Sequence, residues 1–220
     1  LIAFMALTTF IVAGGIKRGI ELASRIMLPL LGLILLALMI VAATNAKSGF
    51  SEAADFVFSF RTDQLTADGV LEAVGHAFFS VGVGMGTMIA YGSYLKRKSD
   101  AVGTSCVIVG LDTVIALMAC MVLFPITFAY GLEPDAGPGL VFKNMPIALM
   151  QLPAGSFFAS IFFILLFFAA LTSAISLLEV AASYFIDEWR WGRVVAALIT
   201  GVVITMFGIP SALSSPLSCW

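Results

Sequence analysis

Between residues 156 and 186 the chain carries a single charged side chain, Glu179. A helix needs about 20 apolar residues to cross the hydrocarbon core of a bilayer, and this run is long enough to do so. Five more segments share its character, which gives six expected spans at 1–15, 26–43, 70–94, 101–130, 156–186 and 194–210. Short polar links join them, apart from two longer ones at 44–68 and 131–153. Of the 220 residues 61% are hydrophobic and 11% charged. A soluble domain of this size cannot hide so much apolar surface, because its outer shell must be wet. The solvent implied is lipid, and the fold class is all-α, a polytopic transmembrane helical bundle forming one domain over residues 1–220. Leu1 opens inside an apolar run with no basic leader before it. This suggests a helix entered part way through, in a chain that is a piece of a longer one.

The basic residues orient the spans. Lys17, Arg18 and Arg25 follow the first, Lys96, Arg97 and Lys98 the third, Arg190 and Arg193 the fifth. Eight of the eleven Lys and Arg thus fall in alternate loops. The opposite loops hold only Lys47, Arg61 and Lys143, together with Glu52, Asp55, Asp63, Asp68, Glu133 and Asp135. The positive-inside rule assigns the three basic loops to the cytoplasm. A net charge of −2 offers nothing to nucleic acid. Cys106, Cys120 and Cys219 have no metal-ligand spacing and imply no disulfide framework. His76 is the one histidine, which rules out histidine-rich metal chemistry, and it reads as a packed core residue.

Function in such a chain shows where polar groups or non-helical backbone are tolerated at depth. Residues 75–86 carry four glycines inside the third span, with Gly82, Gly84 and Gly86 at alternate positions. Each costs about 1 kcal/mol against alanine in a helix. Close packing through small residues is one reading, but that motif repeats every four residues rather than every two. An unwound stretch suits the spacing better, and it frees backbone groups to bind a cation and an anionic head group near the midplane. On the fifth span, Ala169, Thr172 and Ser173 share a face that continues through Ser176, Glu179, Ser183 and Asp187. A lone hydroxyl in a membrane helix usually bonds back to its own backbone. Six polar side chains in a stripe must instead face protein or water, as the lining of an ion or solute path would. Asp112 lies within the fourth span. Ionised there, it costs at least about 2.5 kcal/mol and needs a cation or a donor; protonated and hydrogen-bonded, it would be structural.

Three motifs carry a resemblance. Phe78-Phe79-Ser80-Val81-Gly82-Val83-Gly84-Met85-Gly86, followed by Tyr91-Gly92-Ser93-Tyr94, resembles the broken sixth helix of the neurotransmitter:sodium symporter family. Gly137-Pro138-Gly139-Leu140-Val141-Phe142 with Pro146 is similar to that family's extracellular loop between helices seven and eight. Phe167-Phe168-Ala169-Ala170-Leu171-Thr172-Ser173 resembles its eighth helix. The six spans then correspond to family helices four to nine, a partial leucine-transporter-type fold with one broken helix.

The resemblance implies a bacterial secondary transporter in the inner membrane, a sodium-coupled amino-acid symporter working by alternating access, and no enzyme. It implies a first sodium site using Ser80 and Asp112, with further ligands from helix one. A carboxylate at Asp112 would do the work that chloride does in animal members, so chloride is not required. A second sodium site would take the carbonyl of Ala169 and the hydroxyls of Thr172 and Ser173, and hard oxygen ligands of this kind suit an alkali cation. The amino acid, apolar or aromatic, would be lined by Phe79, Ser80, Gly82, Met85, Ser173 and Leu177. Gly82 stands where some members have serine, which enlarges the site. Ser93, Tyr94, Glu179 and Asp187 would belong to the cytoplasmic gate, Asp187 pairing with an arginine that this chain lacks. The alternatives are a proton-coupled carrier of the same fold with Asp112 and Glu179 as relays, and a non-transporting receptor or assembly subunit.

Overall fold

The computed structural model describes residues 1–59, 65–94, 100–131, 141–142, 145–150 and 154–214, without the side chains of Lys47, Ser48 and Ser214. The Lys96–Lys98 cluster, Arg61, Asp63, Glu133, Asp135, Gly137 to Leu140 of the loop motif, Lys143 and Cys219 lie outside the described residues. Among the described residues the ordered elements are all helical. They are α1 (Ile2–Ala13), a π-helical turn (Ile16–Ile20), α2 (Glu21–Asn45), α3 (Lys47–Phe58) and α4 (Ala67–Ser80). There follow α5 (Thr87–Ser93), α6 (Ala101–Ala129), α7 (Met145–Met150), α8 (Gly155–Trp189) and α9 (Arg193–Ser214).

Four helical stretches are long and apolar enough to cross a membrane: Ile16–Asn45, Ala101–Ala129, Gly155–Trp189 and Arg193–Leu213. α1 has 12 residues, and the third apolar segment is divided into α4 and α5, so neither meets that length alone. The 35 residues of α8 extend for about 52 Å at 1.5 Å each. That exceeds a hydrocarbon core of about 30 Å, so one or both ends of α8 reach beyond it. The two longer links contain short helices, α3 and α7, that a count of apolar runs does not register.

Local chemistry sets several boundaries. Thr66 caps α4 by accepting from Gly69 N–H at 3.1 Å, and Asp100 caps α6 by accepting from Gly103 N–H at 3.0 Å. Pro29, Pro125 and Pro210 sit inside helices, which neighbouring groups make tolerable in membrane proteins.

The described residues form two compact units. The first holds Leu1–Leu28 and the described parts of Gly82–Ser99 and Phe168–Trp220. Its core joins Val12, Ile20 and Met27 to Leu171, Ile175, Leu178, Ala182 and Ala197. α1 packs along α9, where Gly201 leaves room for the buried Thr9. The second unit holds the described residues of Pro29–Val81 and Asp100–Phe167. There α3 crosses α6 closely at Gly49, whose backbone faces the Pro125 carbonyl and the Ala129 nitrogen. Phe56 seals the crossing against Phe124 and Phe128, with ring centroids 5.0 and 5.6 Å apart.

Candidate functional site

α4 ends at Ser80 and α5 begins at Thr87, so residues 81–86 are a non-helical turn within an apolar segment. Gly82 and Gly86 make the turn, at φ +72° and +76°, in the left-handed region that L side chains rarely enter. Gly86 N–H bonds to the Val83 carbonyl at 3.3 Å, and Thr87 N–H reaches the Gly82 carbonyl at 3.2 Å. Gly84, the middle glycine of the alternating set, is not at positive φ and has open space around it. Two of the three therefore carry the break.

In the second unit, Ser80 Oγ donates to Asp112 Oδ2 at 2.8 Å. The donor that a carboxylate inside the fourth apolar segment requires is thus supplied from the last turn of α4. Asp112 is half-buried, and its other oxygen has no hydrogen bond among the described residues. The pair presents a hydroxyl and a carboxylate, both hard oxygen donors.

In the first unit, α8 brings three oxygens together. Thr172 Oγ1 and Ser173 Oγ both donate to the Ala169 carbonyl, at 2.9 and 3.1 Å, and Thr172 Oγ1 also lies 3.1 Å from the Phe168 carbonyl. This is the back-bonding expected of hydroxyls in a helix. It also turns both protons inward, leaving hydroxyl lone pairs able to accept a cation. Further along the stripe, Ser176 bonds back to Thr172 and Ser183 to Val180. Ser176 additionally receives the Tyr91 hydroxyl from α5 at 3.2 Å.

Glu179 is fully buried, and both its oxygens are engaged. Tyr94 Oη donates to Oε1 at 2.8 Å, and the Arg193 guanidinium meets Oε2 at 2.6 Å. Arg193 Nε also donates to the Val12 carbonyl, near the C-terminus of α1, at 3.2 Å. One carboxylate therefore ties α5, α8, α9 and, through the arginine, α1. In the sequence Arg193 stands out only as an orienting charge. Its place in this network has no periodic signature, because a non-helical turn separates it from α8. Of the other expected gate residues, Ser93 bonds to its own helix at the Ala90 carbonyl. Asp187 is exposed, with no hydrogen bond or ion pair among the described residues.

The residues expected around an amino acid fall in both units: Phe79 and Ser80 in the second, Gly82, Met85, Ser173 and Leu177 in the first. Phe79, Met85 and Leu177 all present exposed apolar side chains.

Long apolar helices, one of them broken at glycines, define the polytopic helical class of integral membrane protein. The profile of the Sodium:neurotransmitter symporter family matches residues 1–215, and the chain belongs to that family. It is 34% identical over 213 residues to the sodium-dependent transporter YhdH of Bacillus subtilis, covering 97% of this chain and 47% of YhdH. A sodium-dependent transporter of Haemophilus influenzae is also 34% identical, over 97% of this chain and 47% of its own length. The crystal structure of MhsT in complex with L-phenylalanine superposes with a TM-score of 0.86 at 45% identity, over 96% of this chain and 48% of MhsT. The chain spans about half the length of the relatives it matches.

Proposed function

We propose that the whole protein is a sodium-coupled symporter of an apolar or aromatic amino acid, residing in a bacterial plasma membrane. The observation that carries this reading is the meeting of the Thr172 and Ser173 hydroxyls on the Ala169 carbonyl. Oxygen donors without sulfur or imidazole select a hard cation. The Ser80–Asp112 pair is the proposed first sodium site, with its free carboxylate oxygen available. Asp112 brings its own negative charge to a cation there, and we infer that chloride is dispensable.

Sodium entering down its gradient gains about 2.3 kcal/mol per charge per 100 mV, before any concentration difference is counted. That is enough to drive accumulation of a solute bound alongside it. The solute site is assigned to Phe79, Ser80, Gly82, Met85, Ser173 and Leu177. MhsT was crystallised with L-phenylalanine, which supports an amino acid with an apolar side chain. Tyr94, Glu179 and Arg193 then act as the cytoplasmic gate, parting in the alternating-access cycle to open the α8 stripe to water. Ser93 and Asp187 belong to the same end.

The test uses the complete reading frame, purified and reconstituted in proteoliposomes. Labelled phenylalanine and a panel of other amino acids are offered with an inward sodium gradient, and again with potassium in its place. Accumulation only with sodium is the expected result, unchanged when gluconate replaces chloride. Uptake indifferent to sodium but driven by a proton gradient would transfer the role to Asp112 and Glu179 as proton relays. No uptake of any amino acid would remove the transport reading.

A further inference from the structure

We infer that Phe185 and Trp191 are positioning residues for the cytoplasmic gate: a latch at the end of α8 that holds Arg193 onto Glu179 and so biases the cytoplasmic end toward closure. The inference rests on the gate reading above and adds the device that sets it.

The latch is built from the backbone outward. α8 ends at Trp189, and Arg190 takes φ +55°, a left-handed conformation that a non-glycine residue adopts only when its surroundings require it. The N–H of Trp191 then turns back to the Phe185 carbonyl at 3.3 Å. With Arg190 as the left-handed residue, this bond runs one residue beyond the six-to-one bond of a Schellman ending. Such endings often come with an apolar contact between the residue after the left-handed one and the third or fourth residue before the helix cap. Here that contact is a stacked pair, Phe185 and Trp191, with ring centroids 5.1 Å apart and planes at 14°. Trp189 closes on both rings, edge-on, at 5.2 Å from each. The Gly192 carbonyl accepts from Ala196 N–H at 3.0 Å and opens α9.

Each residue between the two helices is thereby fixed by a bond or a dihedral angle. Arg193, the first residue of α9, starts from a defined place. From there its guanidinium spans the Glu179 carboxylate and the Val12 carbonyl. An arginine loses much rotamer freedom in holding two such partners. A loose turn would add backbone freedom to that cost, and the latch removes it in advance. Three aromatic rings are more than a helix ending needs, and the left-handed Arg190 is a cost that glycine would avoid. Both observations are accounted for if the turn is held in one geometry so that Arg193 meets Glu179.

The experiment uses the complete protein with its native cysteines replaced and one cysteine introduced by Ser176→Cys. That position is one turn of α8 further from the helix end than Glu179. Inside-out vesicles are treated with a membrane-impermeant thiol reagent, and the labelling rate reports how often the cytoplasmic end opens. Relative to that background, Trp191→Ala is expected to raise the rate about two- to tenfold, the factor that one aromatic pair represents. Trp191→Phe, which keeps a ring, restores it. Arg190→Gly relieves the left-handed strain, strengthens the latch and slows labelling, a sign that a poorly folded variant would not give. In a Glu179→Gln background, where the ion pair is already lost, Trp191→Ala adds nothing further, because non-additivity marks residues acting through one contact. If Arg193→Ala speeds labelling but Trp191→Ala and Arg190→Gly do not change it, the latch is wrong and the gate stands. Should none of the three alter the rate, both the gate and the latch built on it are wrong.

Discussion

In the proposed sodium site, Thr172 and Ser173 would satisfy two demands with one residue pair. Each hydroxyl is neutralised for a low-dielectric setting by donating to Ala169, yet each keeps lone pairs for an incoming cation. Replacing both with alanine removes two of the three proposed oxygen ligands and leaves the helix intact, since alanine is the best helix former. The expected outcome is a sodium half-saturation concentration raised at least about tenfold with little change in thermal stability; unaltered sodium dependence would show the second site to be misassigned. Glu179→Gln is a sharper case. Glutamine still accepts from Tyr94, but its amide offers a donor to Arg193, which is itself only a donor. Breaking a buried ion pair by removing one partner costs about 3–5 kcal/mol, less here because the Arg193 side chain retains a quarter of its exposure. We expect a lowered unfolding temperature together with a gate that opens more readily, measured by thermal denaturation and by thiol labelling. The polar stripe on α8 is legible in the sequence, because it follows helical spacing. The role of Arg193 is not, because its partner lies across a turn whose geometry depends on a left-handed Arg190 and stacked rings.

At the scale of elements, the break between α4 and α5 is the clearest meeting of sequence and structure. Alternate glycines suggest unwound backbone, and residues 81–86 are unwound. What spacing alone does not distinguish is which glycines matter. Gly82 and Gly86 have positive φ, and a Cβ on Gly82 would sit 3.0 Å from Thr87 Cβ. Gly84 has neither constraint. A left-handed conformation costs an L residue about 1–2 kcal/mol before any clash. Gly82→Ala is therefore expected to lower thermal stability and impair uptake, while Gly84→Ala leaves the turn in place. Equal behaviour of the two in paired melting and uptake assays would contradict the assignment. Serine at Gly82, which the resemblance associates with some family members, would likewise be strained in the turn seen here. The α3–α6 crossing makes the complementary point. Gly49 lies against backbone rather than side chains, so a residue with any Cβ must push the helices apart. Gly49→Val should cost about 1–3 kcal/mol, as overpacking does, and appear as a drop in melting temperature. Neither α3 nor its glycine stands out in the sequence, because helix-to-helix contact across a link leaves no periodic trace.

For the whole molecule, the alternation of charge along the chain carries the most information and is the easiest to test. Long apolar helices say that a membrane is crossed, but their hydropathy is symmetric and says nothing about direction. Direction comes from the loops, where the translocation machinery retains Lys and Arg on the cytoplasmic side. The Lys17, Arg18 and Arg25 segment and the Arg190 to Arg193 segment should share one side. α3, with Glu52 and Asp55, should lie on the other. Two structural features agree with that scheme. α8, which ends at the basic turn, is longer than a bilayer core, so its charged end has room to emerge into water. The Glu179–Arg193 ion pair lies near that same end, where partial hydration lowers the cost of burying it. Single cysteines at Lys17, Glu52 and Glu188, in the complete protein stripped of its native cysteines, make the scheme measurable in intact cells and inverted vesicles. An impermeant reagent should label Glu52→Cys only in intact cells, and Lys17→Cys and Glu188→Cys only in inverted vesicles. Labelling of Lys17→Cys and Glu188→Cys from opposite sides would mean that an odd number of crossings separates them. The glycine-broken segment would then fail to span, and both the orientation and the proposed cation path along α8 would have to be redrawn.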